Sequence, residues 1–255
     1  MPITLAAIHV AWVLAGAQFM PGAKPITVSA AVSLTDALTA VAREYGGQGR
    51  GPINFNFGAS NVLARQIVSG APVDVFVSAD ETQMDVVAGA GLIKDGSRVD
   101  LLRNQLAFIV PNDRPRTFKS VRDIADPVFK RIAIGDPEGV PAGVYAKRYL
   151  EKEGLWAAVQ SRIVPAGSVR AAMASVESGA ADVAIVYRTD ARVALRATVA
   201  WTVPAAQGPR IVYPAAILKS STVGDEAQRF MDFLLGDPAA RIFERFGFTM
   251  ARRAP

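Results

Sequence analysis

ITVSAAVSLTDALTAVAREY, residues 26–45, is the stretch from which the fold can be read. Its opening residues, ITVS, are largely β-branched and favour a strand. From residue 34 the period changes, and Leu34, Leu38, Val41 and Tyr45 fall on one helical face. Ser33 stands just before that face with Asp36 three residues on, which predicts an acidic variant of the capping box. A strand running straight into an amphipathic helix is the building unit of an α/β fold.

Working outward, the unit recurs. Residues 53–57 read as a strand and 61–69 as a helix stopped by Gly70. Residues 73–78 are a strand, followed by an Asp80-led helix ending at Gly89 or Gly91. Residues 106–110 and 131–134 are strands, with a short helix started by Ser120 between them. Pro141 opens a helix to about residue 153, where its missing amide costs nothing. Strands at 162–164 and 182–187 flank a helix at 169–178, and extended segments follow at 199–203 and 210–218. Helices at 225–235 and 238–246 finish the chain, the second with Asp237 as expected cap. The roughly 230 residues after the first segment exceed a typical single domain, so two lobes are expected. No Pro/Gly/Ser linker separates them, so strands near residues 104–110 and 204–213 are expected to cross between lobes as a hinge.

Composition narrows the function. The chain has 255 residues, is 51% hydrophobic and carries no Cys, which rules out disorder, disulfides, a Cys nucleophile and a Cys-held metal. Its one histidine, His9, lies in the apolar run of residues 5–17. Residues 1–23 contain no Asp, Glu, Lys or Arg and end in small residues, which reads as an export signal. Its removal leaves no imidazole for Ser-His-Asp catalysis or zinc ligation. The net charge of +5 leans towards anionic partners. The Arg and Lys residues are scattered, so no nucleic-acid footprint is expected.

Four helix starts share a further feature: Ser33-Leu34, Ser60-Asn61, Pro141-Ala142 and Ser168-Val169 are each surrounded by Ala or Gly. Free amides at a helix N-terminus, backed by the helix dipole, bind anions, and small neighbours let an anion reach them. Taken singly, each Ser is better read as an ordinary cap and each Gly as a turn residue. Periodicity cannot show that the four converge. Asp36, Asp80, Asp136 and Glu138 stand at helix starts or in a turn, where capping is the expected role. Arg170 lies beside Val169 and is expected in a supporting position, within reach of the anion or of an opposing carboxylate.

Several stretches together resemble the periplasmic molybdate-binding proteins of ABC importers. They are AAVSLTDAL (residues 30–38), FGASNVLARQI (57–67), GAPVDVFVSAD (70–80) and GDPEGVPAGVYA (135–146), continued by Val169-Arg170, AIVY (184–187) and FERFGFT (243–249). The resemblance covers nearly the whole chain after residue 23, in order. It implies a two-lobe periplasmic-binding-protein fold of type II, α/β with mixed sheets flanked by helices. Lobe I would comprise residues 24–105 and 212–255, and lobe II residues 106–211. It implies one tetrahedral oxyanion, molybdate or tungstate, held by Ser33 and Ser60 through hydroxyl and amide, by the amides of Ala142 and Val169, and by the Tyr187 phenol. Val32 and Asn61 depart from the family pattern without removing a donor.

Such a ligand set contains only donors, which suits a fully deprotonated dianion and disfavours hydrogen phosphate. The resemblance further implies an exported, soluble, monomeric periplasmic protein with a membrane permease as partner, no cofactor and no reaction. Three other readings stay open on the residues alone. One is a binding protein of the same fold for sulfate or another oxyanion. Another is an enzyme on this fold using carboxylates. The third is a ligand-sensing module of a transcription regulator, which the export signal and the missing DNA-binding segment oppose.

Overall fold

The computed structural model describes residues 24–251. The segment expected as an export signal, residues 1–23 with His9, lies outside the described residues. In chain order the elements are β1 (Ile26–Ala31), α1 (Thr35–Gly47), β2 (Ile53–Gly58), α2 (Ser60–Val68), β3 (Val75–Val77), α3 (Glu81–Gly89), β4 (Val99–Asn104) and β5 (Leu106–Pro111). Next come β6 (Ile132–Gly135), α4 (Pro141–Lys152), α5 (Trp156–Val159), β7 (Ile163–Ala166), α6 (Val169–Glu177), β8 (Val183–Tyr187), α7 (Arg188–Ala191) and β9 (Ala197–Thr202). Last are β10 (Ile211–Ile217), α8 (Gly224–Leu235), α9 (Asp237–Arg245) and β11 (Thr249–Met250). Among the described residues no helix is long and apolar enough to cross a membrane.

The strands form two sheets, in the orders β11-β4-β10-β3-β1-β2 and β7-β6-β8-β5-β9. Both are mixed. β1 pairs in parallel with β2 and β3, while β10 runs antiparallel to β3 and β4. In the second sheet β6 is parallel to β7 and β8, and β5 is antiparallel to β8 and β9. The central strands LAFIVP (β5), VAIVY (β8) and IVYPAAI (β10) are buried along their whole length. Continuous apolar runs of this kind suit strands covered by helices on both faces. Pro214, which cannot donate to a ladder, sits where the β10–β4 register shifts. Aromatic side chains pack beside the second sheet: Phe118 contacts both Phe108 and Phe129, with ring centroids 5.7 and 5.3 Å away.

The chain passes between the sheets twice. Gln105 alone separates β4 of the first sheet from β5 of the second. The return runs through residues 203–210 to β10. The Gln105 side chain donates to the Val203 carbonyl at 3.0 Å and so ties the two crossings together.

The helix starts follow the sequence in part. Pro141 is the first residue of α4, Asp80 caps α3 by accepting from the Gln83 amide at 2.9 Å, and Ser168 caps α6 by accepting from the Ala171 amide at 3.1 Å. Three other expectations are corrected. Ser33 does not cap α1: it lies in a 3-10 turn (Val32–Leu34), α1 begins at Thr35 with no side-chain cap, and the Ser33 hydroxyl bonds Tyr213 instead. Ser60 is the first residue of α2, whose cap position is Ala59. Asp237 is likewise the first residue of α9, with Gly236 at the cap position.

Candidate functional site

Three α-helices and the 3-10 turn end in one place. A cleft between the sheets is lined by Ala31, Val32, Ser33, Gly58, Ala59, Ser60, Ala79, Val140, Pro141, Ala142, Val169 and Tyr187. It encloses about 210 Å³ of empty space, part of it open to solvent. All five residues singled out by sequence, Ser33, Ser60, Ala142, Val169 and Tyr187, line it, and all are buried. The lining carries no charged side chain. A second, larger cleft at the crossing segments is lined by Arg103, Arg188 and Arg210 and by none of the five. There Arg210 is already engaged with Glu81 and Asp100.

The backbone supplies free donors at the helix starts, where Ser60, Ala142 and Val169 line the cleft. In α2 the Val62 and Leu63 amides bond the Ala59 carbonyl, which leaves those of Ser60 and Asn61 without a helical acceptor. In α4 the Val144 amide takes the Val140 carbonyl, which leaves Ala142 and Gly143. In α6 Ser168 satisfies Ala171 through its side chain and Ala172 through its carbonyl, which leaves Val169 and Arg170. Each set sits at the positive end of a helix dipole. Close approach of α4 to β6 fixes one glycine: a Cβ at Gly143 would collide with the Gly135 carbonyl and stand 2.8 Å from the Asp136 carbonyl carbon.

The side chains add hydroxyl donors. Tyr187 is 1% exposed, and its phenolic oxygen is buried without a hydrogen-bond partner in the structure. Burial, with help from the neighbouring Tyr213, pushes its phenol well above the usual range, so it stays protonated. The Ser60 hydroxyl accepts the Ala79 amide at 2.9 Å, which leaves its own proton free. An uncharged pocket that offers many donors and few acceptors is suited to a deprotonated anion.

Arg170, next to Val169, does not line the cleft but bridges its two sides. Its guanidinium donates to Asp36 in α1 at 2.7 Å and, through Nε, to Asp190 in α7. Burial alone would lower its pKa, and the charges of Asp190 and Asp36 raise it instead. The acidic residue expected to cap α1 therefore serves as a cross-cleft partner. Nearby, a Cβ at Gly139 would stand 2.8 Å from the Asn61 side-chain nitrogen, a second contact between the two sides.

Asp190 is fully buried, and burial pushes its carboxyl up to about 6 against the opposing pull of Arg170. Unfolded, such a carboxyl titrates near ~3.9. Between those values the folded chain keeps a proton that the unfolded chain has lost. Stability attributable to this group therefore falls as pH rises from about 4 to about 6, by on the order of 3 kcal/mol. Unfolding measured across that range should show the decline, and Asp190→Asn should remove it. Identical pH profiles for the two proteins would refute the assignment.

Sequence reasoning missed Asn104, Tyr213 and Ala79, which support the cleft from β4, β10 and the end of β3. Residues 104–110 and 204–213 were legible as crossing segments, but nothing in their spacing marks a side chain aimed at the cleft.

Comparison with known proteins agrees with this geometry. A family model described as bacterial extracellular solute-binding protein matches residues 26–249. The molybdate-binding protein ModA of Escherichia coli is 37% identical over 229 residues, spanning 88% of this chain and 89% of that protein. The solved structure of the Azotobacter vinelandii periplasmic molybdate-binding protein superposes with a TM-score of 0.80 at 28% identity, covering 89% of this chain and 100% of the other. The sulfate-binding protein SubI of Mycobacterium tuberculosis superposes with a TM-score of 0.76 at 21% identity, covering 89% and 87%, a likeness of fold. With three helix N-termini meeting at an uncharged cleft between two mixed sheets, and a family match running from β1 to β11, the chain belongs to the bacterial extracellular solute-binding proteins.

Proposed function

We propose that this protein captures molybdate, and its near-isostere tungstate, between two lobes and delivers it to an ABC importer outside the cytoplasm. The observation that carries the reading is the convergence of Ser33, Ser60, Ala142, Val169 and Tyr187 on one cleft lined by neutral groups. Ser33 and Ser60 donate through hydroxyl and amide, Ala142 and Val169 through amides, and Tyr187 through its phenol. A hydrogen bond to a charged group contributes about 1.5–3 kcal/mol, so a few suffice to hold a dianion without a buried cation. The Arg170–Asp36 bridge favours the closed arrangement, whose outer face is the surface a permease reads. The protein performs no reaction and works as an exported monomer.

Calorimetry of the purified protein with molybdate, tungstate, sulfate and phosphate tests the proposal. Molybdate and tungstate should bind alike. Hydrogen phosphate sets an O–H against donors, and a buried group left unpaired costs about 1–3 kcal/mol, roughly a 5- to 150-fold loss. Sulfate carries the same charge on shorter bonds and should fit the donor shell loosely, binding at least about tenfold more weakly, the equivalent of ~1.4 kcal/mol. Sulfate binding as tightly as molybdate would overturn the assignment in favour of a general oxyanion carrier.

A further inference from the structure

Behind the cleft runs a chain of side-chain hydrogen bonds whose direction can be worked out atom by atom. The Gln105 amide donates to Asn104 Oδ1 at 2.9 Å, which identifies that atom as the carbonyl oxygen. Asn104 Nδ2 therefore faces Thr189 Oγ1 at 2.9 Å and the Tyr213 phenol at 3.2 Å as a donor to both. The Tyr213 oxygen, having accepted from Asn104, has one further partner, Ser33 Oγ at 3.0 Å. Were Ser33 the donor, the Tyr213 proton would be left in a fully buried site with no acceptor, at a cost of about 1–3 kcal/mol. So Tyr213 donates to Ser33, and the Ser33 proton, with no other partner inside the protein, is free for a guest in the cleft.

We propose that Asn104 and Tyr213 are positioning and specificity-determining residues, which bias the Ser33 hydroxyl towards donating into the cleft and so disfavour protonated oxyanions. The inference rests on the oxyanion reading of the cleft and extends it to residues that do not touch the guest. A freely rotating serine hydroxyl can donate or accept, and so tolerates a ligand O–H. One that already accepts from Tyr213 keeps a second lone pair, but it can take a ligand O–H there only by turning its own proton out of the cleft, where the one polar neighbour is a Tyr213 oxygen that would then orphan its own proton. The chain also starts at the crossing: Asn104 ends β4, Gln105 is the single residue between the sheets, and Thr189 belongs to the far side of the cleft. The donor state of Ser33 is thus set where the sheets join.

The test is a mutant cycle read by calorimetry at pH 6 and pH 8. It uses whichever of molybdate, tungstate, sulfate or phosphate the wild-type protein binds most tightly, with phosphate as the protonated competitor. Tyr213→Phe keeps the ring, which packs edge-on against Phe248 and Tyr187, so the fold is retained. It should weaken the preferred anion by about 3- to 10-fold, and narrow its advantage over phosphate by more at pH 6 than at pH 8. In a Ser33→Ala background the same substitution should leave affinity unchanged, because Tyr213 acts only through that hydroxyl. Asn104→Asp offers an acceptor in place of the donor, reverses the chain and turns the Ser33 proton away from the cleft. It should lower affinity more than Tyr213→Phe does, and Tyr213→Phe added to it should restore part of the loss. Equal effects of Tyr213→Phe with and without Ser33, or an unchanged preference over phosphate, would overturn the proposal while leaving the molybdate reading intact. A wild-type protein that prefers sulfate overturns the molybdate reading and leaves this one to the cycle, whereas one that prefers phosphate overturns both. Binding of none overturns both.

Discussion

Gly143→Ala is expected to destabilise the protein and to loosen its grip on the anion in one step. The added methyl meets backbone on two sides, the Gly135 carbonyl and the Asp136 carbonyl carbon, and neither is the flexible end of a side chain. Relief requires α4 to move off β6. Overpacking typically costs about 1–3 kcal/mol, and a collision with backbone belongs at the upper end, about 3 kcal/mol. For a chain of this size that corresponds to a fall of roughly 6–12 °C in Tm. Ala142, whose amide faces the cleft, precedes Gly143 in the same turn, so the shift displaces a donor as well. Molybdate affinity should drop by at least about tenfold, the equivalent of ~1.4 kcal/mol. Thermal unfolding and calorimetry on the same sample read both effects. A variant within 2 °C of wild type and within twofold in affinity would mean that α4 does not sit where described.

Tyr187→Phe is expected to move stability and affinity in opposite directions. In the structure the Tyr187 hydroxyl is buried and unpaired, and such a group costs about 1–3 kcal/mol. Deleting the oxygen while keeping the ring against Tyr213 should raise the stability of the ligand-free protein by about 1 kcal/mol. Binding should suffer, because a donor to a dianion contributes about 1.5–3 kcal/mol, or roughly 10- to 150-fold in Kd. The thermal shift produced by saturating molybdate should shrink accordingly. A purely structural tyrosine would lose stability in both states, and that outcome would remove Tyr187 from the ligand set.

These residues also show what a sequence discloses and what it withholds. β1 and α1 are legible because their periods differ within one stretch, and α4 because proline announces its first turn. β8 is legible as an unbroken apolar run. β4, VDLLRN, is not: it pairs with β10 and β11 from the far end of the chain, and its charged Asp100 and Arg103 hide the strand. Ser33 looks like a cap because a cap is the local use of a serine before a helix. The partner that outcompetes that use, Tyr213, lies 180 residues away. Arg170 has the same history, its carboxylates being 134 and 20 residues distant. The helix starts themselves are local and readable. That they face one another follows only from the way two sheets are joined at the crossing strands, and likeness to a family stood in for that knowledge.

The single residue between β4 and β5 has one more consequence. A rotation of one sheet relative to the other about this residue would resemble the covers of a book turning on its spine. Distance from the spine then sets how far each part travels. Tyr187 is paired with Leu106, the first residue beyond it, while Ala142 follows β6, two strands out from β5, and Val169 follows β7, three strands out. In such a rotation Tyr187 would serve as a nearly stationary post, and the two amides would be the edge that travels furthest.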